Sequence, residues 1–218
     1  MTEASTGPRL QPVAVAEPGT PEWDGFFPDD LPGDWQLAYY AHYYRRLLLP
    51  ARLWPGEAGA VFGSWDEAVP EVLRLWLEWP PGLAPEAGVA TCRELADVLG
   101  DRLEGVVVAT EDSARVVALR AALDAVGLET LHLAGPGREQ ALPRARAARW
   151  CPLVGGGEAA PGAVWVIDPE PDPDAVGWRE LVEGVIAVGG TGEIPVFLRT
   201  RPERLGDVRV IARLLGAA

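Results

Sequence analysis

Between Val106 and Leu133 the chain runs through a strand, a helix and a second strand inside roughly thirty residues, and this unit constrains the fold more than any other stretch. The apolar run Val106–Thr110 gives way to Asp112 and Ser113, either of which can cap a helix. Apolar residues then recur at Val116, Leu119, Ala122, Leu123 and Val126, one face of a helical period. Gly127 ends that pattern, and Glu129–Leu133 reads as the next strand. Two strands joined by one helix in so short a span must run parallel, with a right-handed crossover.

The same alternation covers the rest of the chain. Candidate strands are Val13–Ala16, Leu47–Leu49, Val72–Trp79, Val106–Thr110, Glu129–Leu133, Cys151–Val154, Ala163–Asp168 and Pro195–Thr200. Helical patterns fall at Asp34–Arg46, Glu86–Leu103, Ser113–Val126, Arg138–Arg149, Trp178–Val188 and Arg204–Leu215. This is an α/β chain. Val72–Trp79 narrows the choice further. Leu73, Leu75, Leu77 and Trp79 share one face, while Val72, Arg74, Trp76 and Glu78 share the other. An open sheet covered by helices on both sides wants continuous apolar runs, whereas a barrel tolerates polar side chains on its inner face. Eight strands fit a TIM-barrel-like (β/α)8 architecture, but 218 residues is short for one, and Cys151 to Asp168 has no helix between its strands. The expectation is an abbreviated or incomplete barrel, as a single domain over residues 11–218 behind a loose tail over residues 1–10.

Composition excludes several functions. The net charge of −13 argues against nucleic acid and against anionic membranes as partners. All nineteen basic residues are arginine, so neither a Schiff-base lysine nor a phosphate-loop lysine exists. No run approaches the length of a membrane span, and the N-terminus lacks a basic segment leading into a long apolar one. Cys92 and Cys151 have no metal spacing and read as small buried hydrophobes, which makes a cytoplasmic address the default. With two histidines, His42 and His132, no histidine-built metal site is expected, and no motif implies a cofactor.

Few motifs carry chemistry. Gly189-Gly190-Thr191-Gly192 follows a helix and leads into a strand, the reverse of a phosphate loop, and reads as a helix stop and turn. Gly155-Gly156-Gly157 opens no helix. His42 stands among the aromatics of the first helix and reads as a packing or surface residue. Glu78, His132, Asp168 and Arg199 fall at or near the C-terminal ends of predicted strands, where barrel enzymes carry their chemistry. The first three are the candidate acid/base groups, although His132 reads equally as a hydrogen-bonded core residue and Asp168 as a turn cap. Arg199, Arg201 and Arg204 follow the last strand beside Pro202 and are candidates to hold a small anionic ligand, or else to pair with surface carboxylates. Asp168-Pro-Glu-Pro-Asp-Pro-Asp174 reads as a stiff solvated loop.

The stretch from Trp23 to Ala41, with Trp23, Gly25, Phe27, Pro28, Leu31, Pro32, Trp35, Leu37, Tyr39 and Tyr40 in order, resembles the opening motif of the YecE-like family, domain of unknown function 72. The resemblance covers about residues 22 to 44 and implies a TIM-barrel-like fold in a family without an established activity. It also implies that family site positions are replaced here. Leu47 to Trp54 carries no carboxylate or amide where the family has a polar strand end, Glu78 stands where the family has lysine, and the lead into the motif shortens to Pro18-Gly19-Thr20-Pro21. The expected function is that of a degenerate family member acting as a binding or partner-interacting protein. The alternative is a metal-independent hydrolase or lyase acting on a small anionic substrate at the C-terminal face. The motif further predicts that Trp23, Phe27, Trp35 and Tyr39 pack as one cluster under the first helix.

Overall fold

In a computed structural model, the structure describes residues 8–15, 23, 25–54, 67, 69–108, 113–125, 132–134, 138–142, 145–150, 153–154, 158–159, 164–169, 172–188 and 192–217. The strands are β1 (Pro8–Val15), β2 (Arg46–Leu49), β3 (Arg74–Trp79), β4 (Leu103–Val108), β5 (His132–Ala134), β6 (Arg138–Leu142), β7 (Ala145–Trp150), β8 (Leu153–Val154), β9 (Glu158–Ala159), β10 (Val164–Asp168) and β11 (Gly192–Leu198). The helices are α1 (Gln36–Tyr43), α2 (Pro85–Leu99), α3 (Ser113–Ala125), α4 (Ala175–Val188) and α5 (Pro202–Leu214). None is long and apolar enough to cross a membrane. Proline opens both α2 and α5, where its missing N–H is harmless.

The main sheet has the order β5-β4-β3-β2-β1-β11-β10-β7-β6. Every pairing from β5 through β10 is parallel, and β1 lies between β2 and β11, so the first strand meets the last parallel strand as barrel winding requires. The sheet curls. Trp76 of β3 and Phe197 of β11 stand three strands apart, about 14 Å on a flat sheet, yet their ring centroids are 5.5 Å apart. The concave face holds Val13, Val15, Leu48, Trp76, Val107 and Phe197 as a core of its own. Alternate residues of the same strands, among them Leu47, Leu75, Leu77, Trp79, Val106 and Leu198, join the larger core with the helices. Of the two faces read from Val72–Trp79, Leu73, Leu75, Leu77 and Trp79 join the larger core and Trp76 the inner one, while Val72 precedes β3 and is exposed.

The barrel is incomplete, as expected from the sequence. Where an eightfold barrel has a sixth parallel strand, β6 and β7 form an antiparallel hairpin against β10, and among the described residues no pairing joins β5 to β6. This corrects the helix expected over Arg138–Arg149. The alanine and arginine content there favours helix, but Pro143 interrupts the segment, and β10 offers β7 five consecutive ladder partners. Of the strand expected over Cys151–Val154, Leu153–Val154 forms a two-residue ladder with Glu158–Ala159, and residues 151 and 152 lie outside the described residues. Pro8 to Leu10, expected in a loose tail, belong to β1 instead: Pro8 pairs with Gly192, and Leu10 is buried. The glycine runs at 155–157 and 189–191 lie outside the described residues.

Around α1 the aromatic cluster is real, with one correction. Trp23 is buried, stacks on Phe27 at 5.4 Å and meets Tyr40 at 5.4 Å, while Tyr39 meets Phe27 at 5.8 Å. Trp35 is not in it. That ring is 62% exposed, because a 3-10 turn over Gly33–Trp35 precedes α1 and buries none of its residues. Phe26, next to the positive-φ Gly25, contacts Trp23, Tyr40 and Tyr44 instead.

Candidate functional site

The C-terminal ends of the parallel strands bring two of the predicted residues into contact. Glu78, the penultimate residue of β3, points to the concave side because Trp76 does, two residues before it. Arg199 follows β11 directly, anchored by its backbone N–H on the Ile167 carbonyl of β10 at 2.9 Å. Its guanidinium donates to Glu78 Oε1 across the barrel mouth. The other carboxylate oxygen, Oε2, accepts the Ala51 N–H at 3.1 Å, and the Trp54 indole donates to the Glu78 carbonyl at 2.7 Å. Trp54 is fully buried and packs edge-on against Trp79 at 5.5 Å. The segment after β2, which lacks carboxylate and amide side chains, therefore holds Glu78 with a backbone amide and an indole.

Arg201 and Arg204 are drawn elsewhere. Both reach Asp172 Oδ2, at 3.4 and 2.9 Å, and Arg204 also donates to Asp207 at 2.9 Å. The acidic proline-rich loop is more than a solvated connector: Asp172 takes these two arginines, and Asp174 caps α4 by accepting the Gly177 N–H at 2.8 Å. Asp168 ends β10 at the same end of the sheet as Glu78 and Arg199, opposite Arg146 of β7. His132 is the first described residue of β5 and pairs with Gly105; residues 129–131 of its expected strand lie outside the described residues.

A second polar cluster, at the N-terminal end of the barrel, escaped the sequence reading. Between Leu75 and Trp76 the β3–β4 register shifts, which leaves Glu104 outside the ladder and puts Gly105 opposite Trp76. Glu104 accepts two hydrogen bonds from Arg46, both at 2.7 Å, and the Trp76 indole N–H at 2.8 Å. Arg46 also donates to Gln11 and lies 3.6 Å from Glu193. A β-carbon on Gly105 would sit 2.6 Å from the Trp76 ring, so that glycine is required by close approach. A lone glutamate within the apolar run Leu103–Val108 was the only signal in the sequence.

Among the described side chains, the mouth thus holds a carboxylate and an arginine against each other above an apolar lumen. Such a pair orders loops; proton transfer or anion binding there requires breaking it first.

No family model and no curated protein matches the chain. Solved structures do. A DUF72 family protein from Thermotoga maritima superposes with a TM-score of 0.51 at 12% identity, covering 95% of this chain and 99% of that one. A DUF72 family protein from Enterococcus faecalis gives a TM-score of 0.51 at 10% identity, covering 98% and 100%. The chain has the incomplete TIM-barrel-like fold of an α/β protein similar to these. At 12% and 10% identity, the likeness to these structures is one of fold.

Proposed function

We propose that this chain is a divergent DUF72 protein that works by binding, to a small ligand or a protein partner, and does not catalyse a reaction at its barrel mouth. The observation that carries this reading is the mutual engagement of Glu78 and Arg199 at the mouth. A hydrolase or lyase needs a carboxylate free to exchange a proton and an arginine free to hold the substrate's anion. Glu78 has one oxygen on Arg199 and the other on Ala51, while Arg201 and Arg204 share Asp172. Convergence of Glu78 and Arg199 at the strand ends favours the alternative reading, in which a substrate anion displaces Glu78 from Arg199 and frees it as a base. The test compares wild type with Glu78→Gln using p-nitrophenyl acetate and p-nitrophenyl phosphate as substrates, beside a thermal-shift panel of phosphorylated and carboxylated ligands. Ligand stabilisation of about 2.7 kcal/mol at a hundredfold excess over Kd, without turnover, supports binding. Wild-type turnover that falls at least about a hundredfold in Glu78→Gln would overturn it. Cysteine usage fits a cytoplasmic protein: Cys92 is a free, fully buried thiol.

A further inference from the structure

At the end of the barrel opposite Glu78 and Arg199, a cavity of about 350 Å3 opens between the first half of β1, the α1–β2 junction and the last turns of α5. Four arginines line it, Arg45, Arg46, Arg209 and Arg213, together with Tyr43 and Tyr44. We infer that this cavity binds a small organic phosphate.

The charge pattern singles the place out. Carboxylates outnumber arginines 32 to 19 in this chain; among the described residues Arg74, which donates to the Glu71 and Leu73 carbonyls, also lacks a carboxylate partner but does not line this cavity. Arg9, Arg46, Arg179, Arg199, Arg201 and Arg204 all have one. Among the described residues, Arg45 and Arg213 have none, and Arg209 donates one N–H to the Tyr43 carbonyl at 2.8 Å while its guanidinium lies 4.5 Å over the Tyr44 ring. Three guanidinia without carboxylate partners therefore share one concavity. The carboxylates around it are engaged: Glu104 and Glu193 with Arg46, Asp207 with Arg204. Glu203, which also acts on Tyr44, opens α5 at its far end, about 15 Å along the helix from Arg213.

The geometry suits a multiply charged oxyanion. Guanidinium forks grip phosphate oxygens in pairs, and several of them favour a dianion over a single carboxylate. Arg209 is already oriented by Tyr44, so ordering it costs little on binding. The volume lies in the range of small-molecule sites, and the half-exposed Tyr43 ring supplies an apolar wall for the organic part. This deepens the binding reading by giving it a place, and it rests on that reading; the turnover test at Glu78 is separate, so each can fail alone.

The experiment is isothermal titration of the full chain with pyrophosphate and with adenosine monophosphate at low ionic strength, on wild type, Arg45→Ala, Arg213→Ala and the mouth control Arg201→Ala. Arg45, Arg201 and Arg213 are exposed, so all variants should keep the wild-type circular dichroism spectrum and melting point. The expected result is saturable binding to wild type, weakened at least about tenfold by Arg45→Ala or Arg213→Ala and changed less than about twofold by Arg201→Ala. Absence of saturable binding to wild type overturns the inference. So does equal weakening in all three variants, which would reveal diffuse surface charge. A vesicle arm, with phosphatidic acid in phosphatidylcholine, separates the sources of phosphate: sedimentation with vesicles without response to soluble phosphates would also overturn it.

Discussion

Alanine at Gly88 should destabilise the protein, although the same change in a helix interior ordinarily does the reverse. Gly88 lies in the first turn of α2, where replacing glycine with alanine removes a helix penalty of about 1 kcal/mol. Its new β-carbon would sit 2.2 Å from Trp79 Cη2, 2.5 Å from Cζ2 and 2.8 Å from a Leu83 methyl. Trp79 cannot swing away, because it is 1% exposed and packs edge-on against Trp54 at 5.5 Å. The ring or the helix must therefore move by about 1 Å, an overpacking cost at or above the top of the usual range of about 1 to 3 kcal/mol. The net loss is about 2 kcal/mol, which in a chain of this size lowers Tm by about 4 to 8 °C. Gly206 supplies the control. It sits inside α5, and a β-carbon there would meet only the Tyr44 hydroxyl, at 4.0 Å, so Gly206→Ala should gain about 1 kcal/mol. Thermal and urea denaturation, followed by tryptophan fluorescence and far-UV circular dichroism, measure both. Trp79→Phe removes the ring atoms in conflict, so the Gly88→Ala/Trp79→Phe pair should lose about 0.5 to 3 kcal/mol less than the sum of the singles. If Gly88→Ala and Gly206→Ala raise Tm alike, the packing argument is refuted.

The remaining predictions are shorter. Tyr40→Phe should cost about 1 to 3 kcal/mol in urea denaturation, because the buried hydroxyl donates to the Arg46 carbonyl at 2.6 Å and accepts the Ala14 N–H at 3.3 Å. Burial raises the Tyr40 phenol above its ordinary value and pushes the Cys92 thiol up to about 12. Both groups hold their protons more tightly folded than unfolded, so their contribution is whole below about pH 8.5 and is lost as pH climbs above it, first through Cys92 and then through Tyr40; melting points from pH 8 to 11 should fall less steeply in the Cys92→Ala and Tyr40→Phe variants. Native Cys92 should resist Ellman's reagent and react on unfolding. Trp35→Ala should change stability by less than about 0.5 kcal/mol, since the ring is exposed; a loss of several kcal/mol would restore Trp35 to the cluster.

The sequence by itself determined the alternation of strands and helices, the two faces of Val72–Trp79 and, from them, a barrel in preference to an open sheet. These are local properties: side-chain period follows from backbone geometry, and apolar residues report which side of each element is buried. It also placed Glu78 and Arg199 at strand ends, because strand direction in a β/α chain follows from order alone. Tertiary structure decided the rest. Whether Arg138–Arg149 becomes helix or hairpin depended on β10, which offers β7 a ladder stronger than helix propensity. The partners of the charges were equally invisible, since Arg46 and Glu104 stand 58 residues apart and Glu78 and Arg199 stand 121 apart. Only curling of the sheet brings such residues over one face, and a side chain's charge is a local fact whereas its neutralisation is a matter of what the fold puts within reach.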